Sequence, residues 1–300
     1  MMESLIIYNK EVTVDVAAGI VAKIKKKKEL VNLDDELCVE HLKQFFTENP
    51  SLLKKLDGVD NFSKVSRSKE VAEAVKWVRR KVRGVYGLFQ TEDVAKVTEL
   101  LNRLEKALVS GADTAQIHTE LLSVHVSSEE RSEIYPKFYE QIFSVTGKPA
   151  SILEIASGSN PFSYPQMGLD KLAYIATDLN EDDVRLLKRY FEMMEKHTDL
   201  RGEAFKLDLT KDHKGLADIK ADMCFAFKVF DLLDNKLVED IIQTLKTRWI
   251  VATFPTKTVT KLEMNVKRRA GFQKMLRRIG LSYKTIEFNN ELVYIIDKNG

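Results

Sequence analysis

Cysteine is nearly missing from this chain. Cys38 and Cys224 are its only two, far apart in 300 residues, which excludes a disulfide framework and a cysteine-based zinc site and fits a reducing compartment. The five histidines lack the close spacing of metal ligands, so no metal is expected. No run of about 18 apolar residues occurs, which rules out a transmembrane helix. Met1 to Lys10 carries no basic stretch leading into a long apolar segment, so no secretory signal and no membrane association are expected, and the location expected is cytoplasmic. Net charge is only +2, so bulk charge singles out no partner. Internal repeats and low-complexity segments are also absent.

What is present is enough apolar residue, 44%, to bury a real core in one large or two ordinary domains. The first 125 residues contain a single proline, Pro50, and no strong strand pattern. Helices are expected at about 12–29, 34–48, 68–86, 91–109 and 113–123, with Asp34, Ser68, Thr91 and Asp113 as N-caps. Ser127 and Glu130 have capping-box spacing for a helix running to about Val145, which Pro136 should kink. Thr146 to Ala150 is a breaker. These boundaries give a helical domain over 1–125 and an α/β domain over 126–300.

In the second part, strands alternate with helices. Strands are expected at 151–155, 172–177, 203–207, 222–227, 248–253, 282–288 and 292–297, and helices at 181–197, 235–246 and 261–279. This alternation implies a mainly parallel sheet covered on both faces, and Asn289-Asn290 closes a final antiparallel hairpin. The fold class expected is a Rossmann-like seven-stranded α/β domain behind an all-helical N-terminal domain. In open sheets of this kind, ligands sit beyond the carboxyl ends of the strands. Four segments fall there: Ala156–Pro161 with Gly158 and Asn160, Asp178-Leu179, Asp208-Leu209 and Phe227-Lys228. Small residues in the first let backbone N–H groups and a ligand approach closely. Asp178, as an ionised acid after the second strand, has two acceptor oxygens for ribose hydroxyls, and Asp208 could accept from an adenine amino group with Leu209 on the ring. The turn lacks the three-glycine dinucleotide signature, which turns the reading from NAD towards S-adenosylmethionine. Arg131, one turn into the preceding helix, could meet the methionine carboxylate of that cofactor as a bidentate pair, or a neighbouring acid such as Glu154.

Charge is unevenly distributed. Between Lys64 and Arg83 there are eight basic and two acidic residues, and between Lys257 and Arg278 eight basic and one acidic. Val71, Val75, Val78, Val82 and Val85 form an apolar stripe, with Lys69, Lys76, Arg79, Arg80 and Arg83 on the roughly opposite face. Lys257, Lys267, Arg268 and Arg269 form a second cluster near the ligand-facing edge. Such faces are either solvated or the footprint of a polyanion. Lys25 to Lys28 reads as a solvated helix end, and His125 as a local hydrogen-bonding residue.

Several motifs together resemble one known family. They are His125-Val-Ser127-Ser128-Glu-Glu130-Arg131, Ala156-Ser157-Gly158-Ser159-Asn160-Pro161, Lys228 after the fourth strand, and Phe254-Pro255-Thr256-Lys257. Ser66-Arg67-Ser68-Lys69 and Val82-Arg83-Gly84-Val85-Tyr86-Gly87 add an N-terminal match. The chain resembles the aminoglycoside-resistance 16S rRNA methyltransferases, which modify N7 of a decoding-site guanine. Ser128 stands where that family has Thr, Ser157 where it has Cys, and Thr258 to Lys261 where it has a glycine-rich turn. The resemblance implies S-adenosylmethionine as cofactor, with contacts at Arg131, the 156–161 loop, Asp178 and Asp208. It also implies 16S rRNA in the 30S subunit as substrate and the helical region as docking element. A monomer is expected, and no catalytic acid or base is nominated. Two other readings remain at this stage: methylation of another rRNA or tRNA position, and a non-catalytic RNA-binding protein that retains a cofactor fold.

Overall fold

The computed structural model describes residues 4–27, 30–31, 33, 35–85, 94–257 and 269–299, with 83–85, 126 and 127 as backbone only. The chain forms two compact units, 1–90 and 91–300.

The first unit opens with a hairpin of β1 (Leu5–Ile7) and β2 (Lys10–Val12), followed by α1 (Val14–Ile24), α2 (Asp35–Glu48), α3 (Pro50–Leu53), α4 (Phe62–Val65) and α5 (Lys69–Val85). The expectation of an all-helical region is thus corrected by one antiparallel hairpin. Its strands are only three residues long, too short to show alternation, and Tyr8 and Asn9 both adopt positive φ, as a tight two-residue turn between twisted strands requires. Val71, Val75, Val78 and Val82 of α5 are buried against α1 and α2, which is why the valine stripe folds as a helix face.

The second unit begins with α6 (Val94–Ser110), α7 (Ala115–Ser123), the short α8 (Val126–Glu129) and α9 (Tyr135–Thr146). The compact units divide near residue 90 and not at 125. Leu100, Leu101, Leu104, Leu121 and Leu122 share one core with the sheet, so α6 and α7 cover it. Pro136 does not kink a long helix but lies in the first turn of α9, where its missing N–H costs nothing.

Strands and helices then alternate: β3 (Ser151–Ile155), β4 (Leu172–Asp178), α10 (Glu181–Glu195), β5 (Leu200–Lys206), β6 (Lys220–Phe227), α11 (Asn235–Thr244), β7 (Lys246–Pro255), α12 (Ala270–Arg278), β8 (Ser282–Glu287) and β9 (Glu291–Asp297). The part of the expected 261–279 helix before residue 269 lies outside the described residues. The sheet order is β5-β4-β3-β6-β7-β9-β8, parallel except for β9. Successive residues alternate between two cores. Ile152, Tyr174, Phe225, Val251 and Ile295 face α6, α7, α9 and α10, while Leu153, Cys224, Ile250, Ala252 and Tyr294 face α11 and α12. Strand order reverses between β3 and β6, so the crevice for a ligand opens at the carboxyl ends of these two strands.

Candidate active site

The loop after β3 is built by backbone conformations that side chains normally avoid. Ala156 has φ 51° and Gly158 φ 49°, and the turn so formed points N–H groups off the sheet edge. The Gly158 N–H donates to Asp178 Oδ2 at 2.9 Å, and the Asn180 N–H donates to Oδ1 at 3.0 Å. This ties the ends of β3 and β4 together. Burial raises the Asp178 carboxyl above the usual range, and the N–H groups of Asn180, Gly158 and Leu179 oppose that rise without cancelling it. Leu207 N–H donates to the Asp178 carbonyl at 2.9 Å, which brings Asp208 and the buried Leu209 beside it. Asp208 Oδ1 accepts from Thr210 N–H and Oγ1 and so also closes its own turn.

A second layer comes from the segment before α9. A Cβ on Gly158 would lie 3.4 Å from His125 Nε2, so the buried His125 ring backs directly onto the turn. Ser128 Oγ meets Ser159 Oγ at 3.1 Å. Arg131 is fully buried and bidentate on Glu291, with Nε at 2.7 Å and Nη2 at 2.6 Å. Nη2 also reaches Thr253 Oγ1 at 3.4 Å, and the guanidinium lies over the Phe227 ring, 4.8 Å from its centroid. Arg131 therefore has an internal acid, and that acid is Glu291, not Glu154. Burial works to raise the Glu291 carboxyl, but Arg131 and then Lys228 outweigh it and hold it below the usual range.

Lys228 follows β6 with φ 57°, a strained conformation for a residue with a side chain. Its N–H is held by Thr253 O at 3.0 Å and Thr253 Oγ1 at 3.1 Å, and its buried ammonium pairs with Glu130. Adjacent residues Glu130 and Arg131 thus clamp the His125–Arg131 segment to the ends of β6 and β9. Asn160 is buried, and its amide is spent on Glu154 Oε1 (2.9 Å) and on the Tyr135 hydroxyl (2.8 Å), so it shapes the loop from beneath.

The ligand-side residues expected from the sequence, Ala156, Gly158, Asp178, Leu179, Asp208, Leu209, Lys228 and Arg131, lie along one edge of the sheet. Glu291, Glu130, Thr253 and Glu154 were not expected there. Only the Glu130-Arg131 doublet hints at paired acids elsewhere, and sequence spacing gives no way to find partners 98 and 160 residues on.

The basic residues divide. Lys76, Arg79 and Arg80 of α5 line a concavity with Lys23, Lys26 and Lys27 at the end of α1. Arg79 donates to the carbonyls of Ile24 (3.2 Å) and Lys23 (2.5 Å), so it also caps α1. Part of the lysine run read as a solvated end thereby joins the α5 cluster. Lys69 is exposed and 3.6 Å from Glu73. Lys257 Nζ donates to Asn289 Oδ1 at 3.2 Å. Arg269 is held by Asp231, with Nε at 3.0 Å, and by the Pro255 carbonyl, which anchors it beneath that loop. The Arg83 side chain and all of Lys267 and Arg268 lie outside the described residues.

Whether this edge suits S-adenosylmethionine can be tested on its own atoms. Ser157 Oγ is buried without a hydrogen-bond partner, at the centre of the turn, and Asp178 retains lone pairs beyond the two backbone donors it takes. An orphan hydroxyl beside an acid at a switch point fits a nucleoside with a polar tail.

Fold and site together define an α/β nucleotide-binding methyltransferase. The family described as "Ribosomal RNA methyltransferase (FmrO)" matches residues 56–295, and the chain belongs to that family. A 16S rRNA (guanine(1405)-N(7))-methyltransferase from Micromonospora echinospora is 26% identical over 272 residues, covering 88% of this chain and 95% of its own. One of the same name from Micromonospora rosea is 27% identical over 237 residues, covering 76% and 84%. The crystal structure of 16S rRNA methyltransferase RmtF in complex with S-adenosyl-L-homocysteine superimposes with a TM-score of 0.63, at 21% identity over 94% of this chain and 98% of that one. 16S rRNA methylase RmtB gives 0.60, at 18% identity and the same coverage. The protein is an S-adenosylmethionine-dependent rRNA methyltransferase.

Proposed function

We propose that this protein methylates N7 of a guanine near the decoding site of 16S rRNA, within the 30S subunit. The observation that carries the reading is the edge built by Gly158, Asp178 and the clamped His125–Arg131 segment, in a chain whose relatives bear that activity in their names.

When bound, S-adenosylmethionine supplies a methyl group on a positively charged sulfur. Asp178 would hold the ribose, Leu209 and Asp208 the adenine, and Ser157 and the 156–160 backbone the polar tail. Arg131, with Glu291 already on it, orients the edge where that tail ends. Guanine N7 has a free lone pair and no proton to lose, so no side chain has to act as general base. The work of the protein is then orientation, which can be worth about 7–11 kcal/mol. Lys228, strained and ion-paired at the mouth, holds the acceptor side of the edge.

The concavity of Lys23, Lys26, Lys27, Lys76, Arg79 and Arg80 supplies phosphate contacts that position the rRNA without reading its sequence. These contacts would also offset the few kcal/mol needed to expose a base within folded RNA. The protein acts as a monomer in the cytoplasm.

The test is transfer of labelled methyl groups from S-adenosylmethionine to purified 30S subunits, 50S subunits and bulk tRNA. Label confined to 30S is expected. Label in tRNA or 50S, or none with protein that binds the cofactor, would reject the reading.

A further inference from the structure

Beneath the cofactor turn lies a buried polar network that the chemistry above does not use. Glu154 sits on β3, 1% exposed, between Ala176 of β4 and Phe225 of β6. Its Oε2 accepts from the Tyr174 hydroxyl at 2.5 Å, and its Oε1 from Asn160 Nδ2 at 2.9 Å. Asn160 is held on its other side by the Tyr135 hydroxyl (2.8 Å), and Ser163 Oγ, itself 2.7 Å from the Tyr139 hydroxyl, donates to the Asn160 carbonyl at 2.6 Å. Every one of these contacts ends on Asn160, two residues after Gly158.

Resting on the reading of this edge as the methyl-donor site, we infer that Glu154 is a positioning residue: held as the neutral acid, it fixes Asn160 and so the cofactor turn, and it releases that grip when it ionises.

The geometry explains why the neutral form is the one that fits. A buried carboxylate needs a cation or several donors, and Glu154 has two neutral ones. Around it stand Tyr174 and Asp178 from β4, Tyr135 and Tyr139 from α9, Cys224 from β6 and Arg131 from the segment before α9. Arg131 is neutralised by Glu291, and the phenols and thiol carry no charge to offer. Burial pushes the Glu154 carboxyl up to about 8; Tyr174, Asn160 and Arg131 oppose the rise, and the Asp178 charge adds to it. The neutral acid has one O–H to give Tyr174 and one carbonyl to accept from Asn160, so both bonds survive. Ionisation leaves a second acceptor in an apolar setting, and the loop is the part free to move. Because the folded-state value lies above that of a free glutamate, the grip is complete at neutral pH and fades as pH rises through 8.

The experiment is calorimetric titration of S-adenosylhomocysteine into the full chain and its E154Q, E154A and Y174F variants from pH 6.5 to 9, with melting curves on the same samples. Glutamine reproduces the neutral acid, so E154Q is expected to follow wild type near pH 7 and to bind about tenfold tighter than wild type at pH 9. The ligand's own amine titrates equally in both, so the comparison isolates Glu154. Y174F removes a hydroxyl that favours the anion, and should move the wild-type break to higher pH. E154A should weaken binding at every pH. Parallel pH curves for wild type and E154Q, or an unmoved break in Y174F, would overturn the inference while the donor site stands. Folded wild type that fails to bind at any pH would overturn both.

Discussion

Arg131 and Glu291 meet as a bidentate pair across 160 residues of chain, both buried, at the point where the segment before α9 crosses the ends of β7 and β9. A buried pair of this kind is seldom a net source of stability, but removing one partner strands the other. Glu291→Gln should therefore cost about 3–5 kcal/mol, read as a lower urea midpoint with an unchanged m-value. Arg131→Met with Glu291→Leu should recover much of that stability and none of the cofactor affinity. Because Arg131 holds Glu291 ionised, the pair contributes above the pKa of a free glutamate and is lost only as pH falls through the lowered value.

Asp178→Ala should weaken S-adenosylhomocysteine binding by about ten- to a hundredfold, the worth of one or two bonds to a charged acceptor. Calorimetry gives the affinity and the melting temperature reports the fold. Burial raises the Asp178 carboxyl, so wild-type affinity should begin to fall on acidification at a higher pH than for an exposed aspartate.

Charge reversal at Lys76, Arg79 and Arg80 should weaken 30S binding strongly and leave cofactor affinity unchanged. The dependence of log K on log salt should flatten by roughly one for each lost phosphate contact. Filter binding over a salt series measures both. Arg79 also caps α1, so Arg80→Glu alone, on an exposed side chain, separates RNA contact from helix stability.

Gly202 on β5 faces α10, and a Cβ there would lie 2.2 Å from the Phe191 ring. Gly202→Ala should destabilise by about 1–3 kcal/mol through overpacking, visible as a lower melting temperature.

The second unit was legible because its strands are short apolar runs in strict alternation with helices, and a parallel sheet buried on both faces demands that pattern. Strand ends then located Gly158, Asp178, Asp208 and Lys228 without any side-chain detail. The N-terminal hairpin was not legible: six residues in two strands carry no periodicity, and Tyr8 gives no turn signal at a positive φ. The domain boundary was misjudged because the amphipathic stripes of α6 and α7 say that they bury a face, not which core receives it. Glu291 and Glu154 were hidden for a related reason. An acid in a strand reads as edge or solvent-facing until its partner is known, and the partners here come from other elements.

The most direct test of the central claim is mass-spectrometric mapping of 16S rRNA after unmodified 30S subunits are incubated with this protein and S-adenosylmethionine. The account predicts one new 7-methylguanosine, in a fragment from the decoding region, approaching one per subunit. A methyl group on adenine, or on a guanine remote from that region, would contradict it.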